Sequence, residues 1–318
     1  MTTTVYQTTS KIELPHFEEE VCASFRKAAS FFFWLHFNFI FLITLEVAFF
    51  LMFLPFLQQS YWIAFAVAVL FLTCFTYYVL SIYYRTVKAT DFLKIRDQFL
   101  KKSLDSIGED PLVHSRVAGN AIRVSETLKG MEYSFFRAPR WISFCDGWTE
   151  RLSVWAFAQD VFVIRSEFLH LSIFQYIEQI ITDPMDLEGH QEIANAYVML
   201  YSLLTENGQV EEGRRYCLRA IEEFKILCQY APHDPWVHTQ LAYGYHDLQM
   251  PKDEIREYEI LLKLCPYDRQ VLYDLGVLYF EQGMNAQGLK IYDDLKRVNL
   301  QKADALIQHY GLIDDQEK

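Results

Sequence analysis

Two runs, Phe31 to Leu57 and Tyr61 to Tyr84, are almost continuously apolar, whereas beyond residue 84 apolar positions recur at helical spacing among charged ones. A helix crosses a bilayer with about 20 apolar residues, and each run is longer than that. The pattern predicts two helices over 31–84, a transmembrane hairpin that turns at the uncharged stretch Pro55 to Ser60. A core hairpin of a soluble protein has a similar composition and is the alternative.

Charge orients the hairpin. Arg26 and Lys27 precede the first run, and Arg85, Lys88, Lys94, Arg96, Lys101 and Lys102 follow the second, so the positive-inside bias predicts an integral membrane protein with both termini cytoplasmic. Trp34, Trp62, Tyr77, Tyr78, Tyr83 and Tyr84 suit the membrane–water interface. Residues 1–30 read as a polar cytoplasmic lead, disordered or weakly helical, without the basic start and short apolar core of a signal peptide. A hairpin anchor with both tails on one side also resembles chlamydial inclusion-membrane proteins, whose soluble parts recruit host factors. The expected membrane is a bacterial inner membrane, with a pathogen vacuole membrane as the alternative.

Glu46 stands inside the first run, with His36 and Asn38 toward its cytoplasmic end. An ionisable group at that depth is costly and marks either function, a proton or ion path, or a carboxyl hydrogen-bonded to Thr73, to Thr76 or to a second copy of the chain. Residues 85–108 continue as a basic helix, lying on lipid headgroups or capping a soluble domain. Asp110-Pro111, Asp183-Pro184 and Asp234-Pro235 each pair an N-cap with a first-turn proline and so announce helix starts. The first of these helices should run to about Lys129 and stop at Gly130. Residues 109–184 carry an aromatic stripe that includes Trp141, Phe144, Trp148, Trp155, Phe157, Phe162, Phe168, Phe174 and Tyr176. It predicts divergent helical hairpins, with a membrane-contacting face as the alternative.

From Pro232 the chain repeats at an interval of 34 residues: Pro232 and Pro266, Asp234 and Asp268, Leu241 and Leu275, Ala242 and Gly276, Tyr245 and Tyr279, Tyr258 and Tyr292. Turn, small and aromatic positions recurring together describe a helix hairpin copied twice. The pattern resembles the tetratricopeptide repeat family over about 187–300. Gly208 and Ala220 belong to a degenerate first copy, which has Tyr201 at the small position and a second helix about seven residues too long. A short amphipathic helix near Ala303, Leu306, Ile307 and Tyr310 should cap the stack. The fold expected is all-α, a two-helix transmembrane hairpin followed by a repeat solenoid over 185–318.

The resemblance implies a groove lined by first helices. It places there Trp236, Thr239, Tyr243, His246 and Asp247, then Gln270, Tyr273, Val277, Phe280 and Glu281, with Asn195, Val198, Ser202, Thr205 and Glu206 from the degenerate copy. Aromatics edged by acids favour a protein or peptide partner, apolar with Lys or Arg; burial beneath the C-terminal helix or a second copy is the alternative.

Charge agrees. Residues 1–102 carry nine Lys and Arg against seven Asp and Glu, and residues 103–318 twenty against thirty-four, within a net charge of −12. An acidic soluble part excludes nucleic acid as a partner. The six cysteines lack CxxC spacing and read as free thiols. His233, His238 and His246 with Cys217, Cys228 and Cys265 match no compact metal motif, and phosphate-loop, GxSxG and HExxH signatures are missing. No cofactor, metal or catalysis is expected. The reading is a membrane-anchored interaction scaffold, with a small ion- or proton-coupled membrane subunit using Glu46 as the alternative.

Overall fold

The computed structural model describes residues 15–53, 60–108, 110–135 and 146–316, which form eleven α-helices and one 3-10 turn with no strand among them. The chain divides into two compact units between Leu171 and Ser172. Of the expected turn at Pro55 to Ser60, residues 55–59 lie outside the described residues, as do the aromatics Trp141 and Phe144 and the side chain of Trp148.

The first unit is built from α1 (Pro15–Phe53), α2 (Ser60–Ile107), α3 (Val113–Leu128), the 3-10 turn Met131–Tyr133 and α4 (Asp146–Thr182) up to the boundary. Each helix contributes an apolar stripe at three- and four-residue spacing: Val21, Phe25 and Ala29; Phe92, Ile95 and Phe99; Ala121, Val124 and Leu128; Phe157, Val161, Ile164 and Phe168. Stripes of that period bury together while the opposite faces stay wet, and these four close one core.

This bundle changes the expected layout. α1 is helical from Pro15 and α2 runs unbroken to Ile107, so neither 30/31 nor 84/85 is an element boundary. The aromatic stretch supplies one wall of the bundle with a single 37-residue helix instead of further hairpins. Basic residues of 85–108 are taken up by carboxylates: Lys88 pairs with Asp160, Lys102 with Glu20, and Arg96 lies 2.6 Å from Glu167. Asp110-Pro111 sits just outside its helix, where the Asp110 side chain accepts from Leu112 N at 2.9 Å; α3 begins at Val113 and is followed by Gly130 at φ 81°.

The distal parts of α1 and α2 are different. Both helices are long and apolar enough to cross a membrane, and no residue of their most apolar windows is buried. Phe41, Phe49, Phe65, Phe71 and Leu72 are all exposed.

The second unit stacks hairpins: α5 (Leu187–Glu206) with α6 (Val210–Tyr230), α7 (Pro235–Asp247) with α8 (Pro251–Leu264), α9 (Arg269–Glu281) with α10 (Asn285–Val298), and then α11 (Leu300–Gln316). These are tetratricopeptide-like hairpins. Asp234 caps α7 by accepting from Trp236 N at 2.9 Å, and Asp268 caps α9 through Gln270 N at 2.7 Å. A left-handed residue makes each inter-helix turn, Gly208, Gln249 and Gly283 in order.

The first hairpin is lengthened in both helices. α5 has 20 residues against 13 in α7, and α6 has 21 against 14 in α8. Two extra turns on each partner keep the pair matched along its length, whereas the expectation put the extra length on the second helix alone. Asp186, not Asp183, caps α5, accepting from Gly189 N at 2.9 Å. Pro184-Met185-Asp186 is thus a third Pro-x-Asp turn, hidden from a 34-residue search because it lies 48 residues before Pro232-His233-Asp234.

Candidate functional site

α5, α6 and α7 enclose a cleft of about 320 Å³ in the second unit. Its floor is apolar, from Val198, Ala220, Ile221 and Phe224; its walls are Tyr201 and Tyr243; Asp247 and His246 stand at the rim. Helix α7 delivers its residues there because Leu241, Ala242 and Tyr245 are buried on the opposite stripe.

Of the fifteen expected groove residues, the five on α7 lie on an open surface. Trp236 packs edge-on to Phe224 at 5.8 Å and is partly exposed, and Thr239 returns its hydroxyl to Pro235 O at 2.7 Å. Tyr243 is half exposed. His246 is exposed, with Nδ1 3.1 Å from the buried Glu254 carboxylate. Asp247 accepts the Tyr201 hydroxyl, and burial pushes its carboxyl above the usual range against the pull of His246 and that bond.

The five on α9 meet α11. Phe280 is 2% exposed and packs against Tyr310, with ring centroids 4.5 Å apart and the planes tilted by 32°. That burial removes it from any groove, because an aromatic spent on the core has no face left for a partner. The Lys302 ammonium lies 5.7 Å over the Tyr273 ring and its Nζ bonds Gln270, while Val277 is partly buried in the same cluster. Glu281 is exposed, 4.0 Å from His309 of α11. From the degenerate copy, Val198 reaches the cleft, Ser202 and Glu206 bond each other at 3.3 Å, and Asn195 and Thr205 are half-buried.

Tyr201 and Phe224 are among the cleft residues that were not expected there. Tyr201 stands where the later copies have Ala242 and Gly276, and that oversized ring builds a wall of the cleft; its misfit to the repeat was the available signal. Phe224 gave no signal, since an apolar residue on α6 reads as core.

The site has little reactive chemistry. Burial pushes the Cys217 thiol up to about 12, and its Sγ points at Gly244 O, 3.6 Å away, so the thiolate form is suppressed. His238 is held between Glu257 at 2.7 Å and Pro232 O at 3.1 Å, with Cys228 Sγ 3.9 Å from its Nε2, and the described residues hold no cluster of three metal-ligating side chains. Glu46 in the first unit accepts from Thr73 Oγ1 at 3.0 Å.

No family model and no curated protein matches the chain. Among solved structures it is similar to a MamA structure, "MamA AMB-1 C2221", at 13% identity over 57% of this chain and 96% of that one, with a TM-score of 0.33. It is also similar to TTC0263, a thermophilic TPR protein in Thermus thermophilus, at 17% identity over 61% and 97% of the two chains, with a TM-score of 0.34.

Proposed function

We propose that this chain is a membrane-anchored interaction scaffold: the α1–α2 hairpin spans a bilayer, both termini are cytoplasmic, and the repeat unit holds a protein or peptide partner in the α5–α7 cleft. The observation that carries the reading is the cleft itself, apolar below, walled by Tyr201 and Tyr243 and edged by Asp247. A basic side chain with an aliphatic stem fits it, the stem lying on Val198 and Phe224 and the charge meeting the carboxylate. Anchoring draws support from the exposure of the two apolar helices, since a core helix of a soluble protein would be covered.

The test places a photo-crosslinking amino acid at Tyr243 and, as a control, at the exposed Leu289 of α10. In native membranes an adduct is expected at 243 and not at 289, and Asp247→Lys should abolish it. Equal adducts at both positions, or one indifferent to Asp247→Lys, would reject the cleft.

One observation favours a second reading. Glu46 Oε2 is buried and without a hydrogen-bond partner, as a proton-carrying group would be. Glu46→Gln in proteoliposomes decides it: proton flux equal to wild type ends that reading.

A further inference from the structure

We infer that Trp155, in the third turn of α4, is an interfacial anchor that holds the start of that helix against the headgroup layer of the bilayer. This rests on the anchoring reading above and adds a third membrane-contacting helix to the hairpin.

Trp155 is 78% exposed, although Ser153 and Phe157 on either side of it along α4 are buried. One exposed apolar residue needs no explanation by itself. Its level does, and three contacts within the first unit establish that level. Lys88 pairs with Asp160, Arg96 with Glu167, and Phe99 packs on Phe168 with centroids 5.2 Å apart. α4 therefore runs parallel to α2, nearly residue for residue. Carried back five residues from the Lys88–Asp160 pair, the register puts Trp155 level with Tyr83.

α1 gives the same level independently. Phe33 lies 5.5 Å from Phe157, and Phe32 lies 6.1 Å from Tyr84. Trp34, Tyr83 and Trp155 thus stand at one height on three helices, and all three are more than half exposed. On the side toward the bundle come Lys27, Arg85 and Lys88; on the other begins the exposed apolar surface of the hairpin. Aromatic rings between a basic layer and an apolar one have the order of a membrane interface.

Arg151 sets the depth. It precedes Trp155 by one turn, about 6 Å at the α-helical rise, and is exposed. Because α4 runs parallel to α2, Arg151 lies on the hydrocarbon side of the indole, and its long stem carries the guanidinium back to the lipid phosphates at the level of Trp155. α4 begins in the layer and leaves it toward the bundle.

The experiment uses the full chain in phosphatidylcholine–phosphatidylglycerol vesicles, with a fluorescent amino acid at position 155, 65 or 104 in turn. The quencher is phosphatidylcholine spin-labelled near the headgroup or deep in the acyl chain. Position 155 should lose about half its emission to the shallow label and much less to the deep one; position 65 should show the reverse, and position 104, on α2 far from the interface, neither. Quenching at 65 but none at 155 overturns this inference and leaves anchoring intact. Deep quenching at 155 also overturns it, as insertion below the headgroup layer. No quenching at 65 rejects anchoring itself and the inference with it. Native tryptophan quenching by brominated lipid, wild type against Trp155→Phe, reads the same contact without a foreign residue, and an identical quenched fraction in the two would count against it.

Discussion

The ring of Phe280 fills the space in which a Cβ on Gly288 would stand: that atom would lie 2.5 Å from Cε1 and 2.7 Å from Cδ1. Thirty-four residues earlier the same two positions are His246 and Glu254, joined at 3.1 Å. In the lengthened hairpin they are Thr205 and Gly213, where an added Cβ would lie 3.0 Å from Thr205 Oγ1. One helix–helix seam is closed by three different chemistries. Gly288→Ala should cost about 1 to 2 kcal/mol, overpacking against a rigid ring outweighing the gain in helix propensity. Gly276→Ala should cost less, because its Cβ meets the rotatable end of Leu306 at 2.6 Å. Urea unfolding of the two variants checks the order.

A second seam differs in the same way. His238 and Glu257 form a buried pair, 3% and 8% exposed, and the positions 34 residues on are Leu272 and Ile291, both in the core. His238→Leu alone should lose about 3 to 5 kcal/mol by stranding the carboxylate, whereas His238→Leu with Glu257→Ile should return to within about 1.5 kcal/mol of wild type. A double-mutant cycle with no coupling energy would reject the pair as a unit.

Phe280 and Tyr243 should separate stability from binding. Phe280→Ala opens a core cavity and should lose about 3 to 5 kcal/mol, read as a lower melting temperature. Tyr243→Ala, on a half-exposed ring, should change stability by less than about 1 kcal/mol and abolish partner crosslinking. A melting temperature unchanged in Phe280→Ala would return that residue to the groove.

Gln249 holds φ 57° at the turn where its counterparts are Gly208 and Gly283. A left-handed conformation strains a residue with a Cβ, so Gln249→Gly should stabilise the unit by about 1 kcal/mol, less whatever glycine adds to the entropy of the unfolded chain. Chemical denaturation at neutral pH measures it.

Acid should strengthen the repeat unit before it weakens it. Burial pushes the carboxyls of Glu192, Asp247, Glu254 and Asp274 above their usual range. A carboxyl raised on folding binds a proton that the unfolded chain has released, so this contribution to stability falls as pH rises from about 4 through each raised value. Glu254→Gln removes one such group. Its melting temperature should exceed that of wild type at pH 7, and the difference should close near pH 4; a constant difference across that window would contradict the sign.

The 34-residue interval was legible because Pro, Asp and Gly act on their own backbone: they cap and turn helices wherever they stand. The lengthened hairpin was less so, since two turns added to both helices break a fixed spacing while leaving every local rule intact. Asp110-Pro111 and Asp183-Pro184 show the limit of local reading. An aspartate can satisfy a turn just ahead of a helix as well as cap it, and the two cases share one dipeptide. The α7 half of the candidate site could be expected from register alone. The α9 half could not, because nothing in the repeat says how closely the following helix packs.

By itself the sequence determined the all-helical class, the two long apolar runs and the hairpin order of the carboxy-terminal unit, all properties of residues within a few turns of one another. Only the tertiary structure decided that the amino-terminal helices share a core with α4, that Tyr201 and Phe224 join Tyr243 around a cleft, and that Tyr310 covers Phe280. Those outcomes depend on which stripe meets which across many residues of chain, and helical periodicity records that a face is apolar without recording what will cover it.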